Sequence, residues 1–188
     1  MYKLKVIITS TRPGRIGLPV SEWFYNFAKK NNNNFEVELI DLLKINLPFL
    51  DEQFHPMLKK YQYEHTKEWS TIIEGSDAFV FVVPEYNYSA PATLINALDY
   101  LYHEWNYKAA GFVSYGGISG GMRSVQMIKQ FLTSFKMVPL VEAVTIPGVR
   151  EHIDEQKNFI SDSKLEKTAS TMLKELYRWT EALLQLRK

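Results

Sequence analysis

Apolar residues in this chain fall into two alternating rhythms, short β-branched runs and longer stretches with helical spacing. Leu4 to Thr9 is brief, β-branched and mostly apolar, the pattern of a strand covered on both faces. Val20, Trp23, Phe24 and Phe27 then recur at i, i+3, i+4 and i+7, predicting a helix with one buried stripe that ends at the run Asn31 to Asn34. Phe35 to Ile40 alternates with Glu36 and Glu38, as a strand near a sheet edge does. Leu43 to His55, with Pro48 and then Pro56, reads as a loop, and Leu58 to Glu74 as a polar, aromatic helix. Ala78 to Val83 is the most strand-like window and stops at Pro84, predicting a central parallel strand.

The second half repeats the rhythm. Pro91 opens a helix whose buried face is Leu94, Ala97, Leu98 and Leu101. Ala109 to Tyr115 is a strand, Ser119 to Phe135 a helix with Val125, Ile128, Leu132 and Phe135 inward, and Val138 to Thr145 a last strand interrupted near its start by Pro139. Ser163 and Glu166 predict a capping box for a closing helix through Leu165, Ala169, Met172, Leu176 and Leu183. Strands alternating with helices predict a three-layer α/β fold. Its core is a doubly wound five-stranded parallel sheet of flavodoxin-like order 2-1-3-4-5, with a switch point between the first and third strands.

Composition narrows the chemistry. At 188 residues one domain is expected over 1–188, burying roughly 70% of its unfolded surface. Lys and Arg number 22 against 21 Asp and Glu, so no general field draws the chain to nucleic acid or to an anionic membrane. Without cysteine there is no disulfide, thiolate metal site or cysteine nucleophile, and redox chemistry would fall to a bound cofactor. Met1 to Lys5 leads straight into a strand, and no apolar run is long enough to cross a bilayer, so a cytoplasmic protein is expected. His55, His65, His103 and His152 are scattered without metal-ligand spacing, so no metal is expected.

Three segments follow predicted strands and would meet at one sheet edge. In Thr9-Ser10-Thr11-Arg12-Pro13-Gly14-Arg15, hydroxyls, glycine and two guanidinium groups suit a phosphate, and no acid occurs before Glu22. The alternative is an ordinary βα turn with solvated arginines. Pro84-Glu85-Tyr86-Asn87-Tyr88-Ser89-Ala90-Pro91 is a proline-bracketed aromatic loop suited to a flat ring, or plain cover for the sheet end. Ser114-Tyr115-Gly116-Gly117 permits close backbone contact with a ligand edge, or is simply a tight turn. Neither the dinucleotide pattern G-x-G-x-x-G nor the P-loop pattern occurs. Glu85 with Glu104 and Asp51 with Glu52 are carboxylates to which sequence assigns no catalytic role. The run Tyr100 to Tyr107 is either a core layer or an interface.

Pro-Glu-Tyr-Asn, followed by Ser-Ala-Pro-Ala-Thr-Leu-Ile-Asn-Ala-Leu-Asp-Tyr, resembles the signature of the NADPH-dependent FMN reductase family, the flavodoxin-like NAD(P)H:flavin, quinone and azo reductases. The resemblance spans about Lys5 to Thr145. It implies FMN phosphate on Ser10, Arg12, Arg15, Ile16 and Gly17. The isoalloxazine would lie along Pro84, Glu85, Tyr86, Asn87 and Tyr88, and the pyrimidine edge on Ser114, Tyr115, Gly116 and Gly117. It further implies NADPH or NADH as co-substrate, a small-molecule electron acceptor, and a homodimer or a tetramer of such dimers, with Tyr100 to Tyr107 on the dimer face. Thr9 stands where the family commonly has Gly, and Ile95 where it commonly has Lys. A one-electron flavodoxin-type carrier and a non-catalytic flavin-binding redox sensor are the competing functions.

Overall fold

The computed structural model describes residues 1–187. Five parallel strands form one sheet, β1 (Tyr2–Ile8), β2 (Phe35–Asp41), β3 (Ala78–Pro84), β4 (Ala109–Tyr115) and β5 (Val138–Ile146), in the order β2-β1-β3-β4-β5. That is the expected flavodoxin-like order. β3 lies mid-sheet with all seven residues buried, and β2 lies at an edge with Glu36 and Glu38 turned outward.

Each central strand splits its side chains between two cores, because successive residues point to opposite faces. Leu4, Val6, Val80, Val82 and Val113 pack against α1 (Gly17–Asn31) and α6 (Ser163–Leu183), through Val20 and Phe24 on one helix and Ala169, Met172 and Leu176 on the other. Ile7, Phe79, Phe81 and Phe112 pack against α3 (Glu64–Glu74), α4 (Ala92–Asp99) and α5 (Met122–Thr133). A short helix, α2 (Leu42–Ile45), follows β2 directly. Tyr100 and Trp105 are fully buried in the second core, so that part of the aromatic run is a core layer.

Local chemistry moves several boundaries from their expected places. The segment from Leu58 is helical only from Glu64: Lys59 takes a left-handed φ of 50° after a turn over Pro56–Leu58, and the Gln62 and Tyr63 amides donate to the Glu52 carboxylate, which holds this stretch off the helix. Leu43 to His55, expected as loop, begins inside α2, because the Asp41 carboxylate accepts from Leu43 N at 3.0 Å and caps that turn. The cap of α6 is Asp162 rather than Ser163: its carboxylate accepts from Leu165 N at 2.8 Å, while Ser161 donates to Glu166 at 2.9 Å. α5 begins at Met122 after left-handed Gly120 and Gly121, and Pro91 occupies the N-cap of α4. Pro139 sits on the edge strand β5, where a missing N–H is tolerated, and the register with β4 shifts between Ala110 and Phe112.

Candidate functional site

At the carboxyl edge of the sheet, the loops after β1, β3, β4 and β5 enclose a cleft of about 410 Å³. Arg12, Gly14, Arg15 and Ile16 line it from the first loop, Pro84, Glu85 and Tyr86 from the second, and Tyr115, Gly116 and Gly117 from the third. Thus nine of the fourteen sequence-predicted residues reach one cavity wall. Ser10 and Gly17 lie beneath it, Ser114 is buried, and Asn87 and Tyr88 are exposed outside it.

The first loop is tied down at both ends. Thr9 bonds Val82 O through its amide and its hydroxyl, and Thr93 at the start of α4 donates to Thr9 O at 2.5 Å. Among the described residues, no intrachain acceptor takes the N–H groups of Ser10, Thr11, Arg12 or Gly14. Ser10 Oγ is fully buried and has no hydrogen-bond partner among the described residues. A Cβ placed on Gly17 would stand 2.2 Å from Ser10 Oγ and 2.4 Å from Tyr115 Oη, so the two hydroxyls converge on the bare first residue of α1. Unfilled amides, an orphaned hydroxyl and a helix start form a donor set of the kind a phosphate takes.

The two loop arginines do different things. Arg12 is exposed at the cleft without an ion pair among the described residues. Arg15 is turned away: Nη1 bonds Asp41 at 2.7 Å, Nη2 bonds it at 2.5 Å, and Nη1 also bonds Ser10 O. Both partners are nearly buried, at 9% and 8% side-chain exposure. The bonds from Asp41 push the Arg15 pKa up, and Arg15 with Leu43 N–H holds the Asp41 carboxyl below its usual range against the opposing effect of burial. Arg15 therefore shapes the loop, and Arg12 is its remaining side-chain cation. Asp41 has no counterpart among the sequence-predicted residues, although a carboxylate ending the strand beside β1 was a readable signal.

In the second loop, Tyr86 and Ser89 exchange backbone bonds at 2.9 and 3.0 Å, closing a tight turn with Asn87 at φ 51° and Tyr88 at φ 70°. Left-handed backbone suits Asn and is uncommon for Tyr. Arg123 lies over one face of the Tyr88 ring at 4.1 Å, and Tyr88 is otherwise 70% exposed, outside the cleft. The Glu85 carboxylate, though on the cavity wall, is bonded within the chain. It accepts from Ser119 at 2.7 Å, from Arg123 N at 3.2 Å and from Arg123 Nη1 at 2.9 Å. Burial disfavours its charge, and the bonds from Ser119 and Arg123 outweigh that and hold the carboxyl below its ordinary range. Glu85 thus latches the second loop to the third.

The third loop is drawn tight by glycines. A Cβ on Gly120 would lie 2.6 Å from Thr145, and one on Gly121 2.8 Å from Tyr115 N. Gly116 N–H is used by Ile146 O at 3.3 Å, while Gly117 N–H has no acceptor among the described residues. Burial pushes the Tyr115 phenol pKa up, leaving a neutral hydroxyl donor beside the first loop. A fourth segment, Gly148, Val149, Arg150 and Glu151, completes the cleft and was not anticipated. It docks through Gly148 N to Gly117 O at 3.0 Å and Val149 N to Gly116 O at 3.2 Å. Parallel topology puts the loop after β5 on the same edge as the others, and Pro147-Gly148 marks its turn.

Comparison with known proteins decides the family. A family profile described as NADPH-dependent FMN reductase matches residues 2–151. The chain belongs to that family. A NAD(P)H-dependent FMN reductase of Schizosaccharomyces pombe is 41% identical over 149 residues, covering 77% of this chain and 74% of the relative. A NAD(P)H:quinone oxidoreductase of Solanum tuberosum is 30% identical over 139 residues, covering 69% of this chain and 66% of the relative. Among solved structures, the flavoenzyme NAD(P)H:(acceptor) oxidoreductase FerB of Paracoccus denitrificans superposes with a TM-score of 0.75 at 23% identity, covering 97% of this chain and 98% of that one, which supports the flavodoxin-like fold. This FMN reductase family member therefore keeps, in one cleft, the three loops that carried the resemblance.

Proposed function

We propose that the chain is a single FMN-binding domain acting as an oxidoreductase between NAD(P)H and a small acceptor. When bound, FMN would accept hydride from NAD(P)H and, in a second half-reaction after the oxidised nucleotide leaves, reduce a quinone, an azo compound or free flavin. The observation that carries this reading is the polarity of the cleft, with a phosphate-type donor set at the Ser10 to Gly17 end and a proline-stiffened aromatic wall at the other.

Each residue's role follows from its chemistry. Arg12 supplies the charge-assisted bond to the phosphate, and the amides of Ser10 to Gly14 with Ser10 Oγ supply the rest. Ile16 and Gly17 let the phosphate approach the first turn of α1, and Arg15 holds their loop through Asp41. Pro84 and Tyr86 flank the ring, while Glu85, Asn87 and Tyr88 fix the turn that positions them. Gly117 N–H is available to the pyrimidine edge, Tyr115 OH faces the phosphate end, and Gly116 and Ser114 form the floor. Hydride transfer needs alignment more than a proton donor, so no side chain is assigned a catalytic proton. The exposed Phe49, Met57 and Leu58, on the segment tied to α4 by Asn96, offer an apolar face for a homodimer, and dependence on NAD(P)H suits the cytoplasm.

The test is the absorption spectrum of the purified protein, repeated after adding NADPH without oxygen. A yellow preparation that bleaches supports the assignment, and a colourless one that takes up no FMN overturns it. Arg12→Ala should weaken FMN retention by roughly 10- to 100-fold, the value of a charge-assisted hydrogen bond.

A further inference from the structure

Among the described residues, three charged side chains lining the cleft have no ion pair, Arg12 on the phosphate loop and Arg150 and Glu151 on the loop after β5. The charged side chains on its wall are Arg12, Arg15, Glu85, Arg150 and Glu151. Arg15 is neutralised by Asp41 and Glu85 by Arg123. The Glu151 carboxylate folds back on its own turn, 3.2 Å from where a Cβ on Gly148 would stand. Arg150 is exposed and has no ion pair among the described residues. Two unpaired guanidinium groups, Arg12 and Arg150, therefore face one cavity.

They are carried by loops at opposite ends of the cleft. β1 and β5 are separated by β3 and β4, and three strand spacings amount to about 14 Å. That backbone separation gives the cleft a guanidinium at each end. The loop after β5 is built to hold its place: Val149 is buried, Gly148 N and Val149 N bond the third loop, and Ile153 N donates to Arg150 O at 3.2 Å. A fixed backbone with a solvent-facing guanidinium suits a ligand that arrives and departs in each cycle.

We propose that Arg150 is a specificity-determining residue that binds a phosphate of the incoming pyridine dinucleotide, making the turn at 147–151 a second anion subsite of the cleft. This rests on the cofactor reading above. A planar guanidinium matches two phosphate oxygens at once, and an ammonium does not. Because the contact is remote from the reacting ring, it is made equally in the ground and transition states and acts on KM more than on kcat.

The test compares the FMN-loaded wild type with Arg150→Ala and Arg150→Lys. FMN content is measured first, then the Kd for NADP+ and NAD+ by calorimetry, then steady-state constants with NADPH and NADH. Arg150→Ala should retain FMN and raise the Kd for NADP+ and the KM for NADPH on the order of tenfold. Arg150→Lys should recover only part of that loss. Loss confined to the NADPH series places the contact on the 2′-phosphate, and equal loss with NADH places it on the pyrophosphate; either supports the proposal. Unchanged Kd and KM in Arg150→Ala overturn it, as does a variant that sheds FMN, which would give the cation to the cofactor. A wild type that itself takes up no FMN is a failure of the cofactor reading and is told apart by the first measurement, while the NADP+ titration still reads Arg150.

Discussion

Gly17→Ala adds one methyl group at the point where the first and third loops meet. Its Cβ would lie 2.2 Å from Ser10 Oγ and 2.4 Å from Tyr115 Oη, where ordinary contact begins at 3.4 Å, so each atom must retreat by about 1 Å. Ser10 can rotate its hydroxyl. Tyr115 cannot: its ring is rigid and only 5% exposed, in contact with the core on the α1 side of the sheet. Overpacking of this kind costs about 1–3 kcal/mol. Helix propensity returns at most about 1 kcal/mol, because alanine outranks glycine within a helix. The net loss of up to about 2 kcal/mol corresponds to up to roughly 8 °C in Tm for a chain of this length. Thermal melts of the apoprotein followed by circular dichroism measure it, and FMN titration by fluorescence quenching should show weakened binding, because the displaced hydroxyls are those proposed to face the phosphate. Tyr115→Phe removes the rigid obstacle, so the double variant should be more stable than the sum of the single losses predicts. Gly117→Ala is the control for the thermal melts, since nothing stands within 4 Å of its Cβ. A Gly17→Ala protein that melts with the wild type and binds FMN equally well, or a strictly additive double variant, would show that the convergence at Gly17 is not tight.

Two further expectations concern charge. Asp41→Asn leaves Arg15 buried without its carboxylate and should cost about 3 kcal/mol in urea denaturation, the lower end for breaking a buried pair; because Arg15 and Leu43 N–H hold the Asp41 carboxyl low, this stability is present above the ordinary carboxylate pKa and lost as pH falls through the lower folded value, so the variant should lack that part of the wild type's acid loss. Lys108 donates to Ile73 O at 2.6 Å and Glu74 O at 3.1 Å, and its pKa is pushed down to about 7 by burial and then by Arg187, with Asp77, Glu74 and Glu104 opposing. The unfolded chain then binds the extra proton between about pH 7 and 10, so stability should rise with pH across that window, and Lys108→Met should flatten the rise; parallel profiles for the two proteins would refute it.

The strands and their faces were legible because burial on two sides leaves a plain mark: Ala78 to Val83 and Ala109 to Tyr115 are apolar throughout or nearly so, and both lie mid-sheet. Helix stripes at Val20 and Phe24, at Leu94 and Leu98, and at Ile128 and Leu132 were equally plain, and all are buried. Helix starts were less so, because carboxylates compete locally for free amides. Glu52 is positioned to take the Gln62 and Tyr63 amides, a contact across ten and eleven residues that no periodicity records. At the site, the loops could be named and their side-chain directions could not. Arg12 and Arg15 look alike in a row of residues, and only Asp41, 26 positions further on, separates a free cation from a committed one.

Local pattern was enough to set the alternation of strands and helices and the edge on which ligand loops gather, since these follow from the period of side-chain direction and the handedness of crossovers, while the sheet order was expected as the commoner doubly wound arrangement. Which partners the charged groups found depended on folding: Arg15 on Asp41, Glu85 on Ser119 and Arg123, and the loop after β5 on the carbonyls of Gly116 and Gly117. Ion pairs and loop docking are decided by distances between residues far apart in the chain, and those distances exist only once the two cores have brought the strands into register.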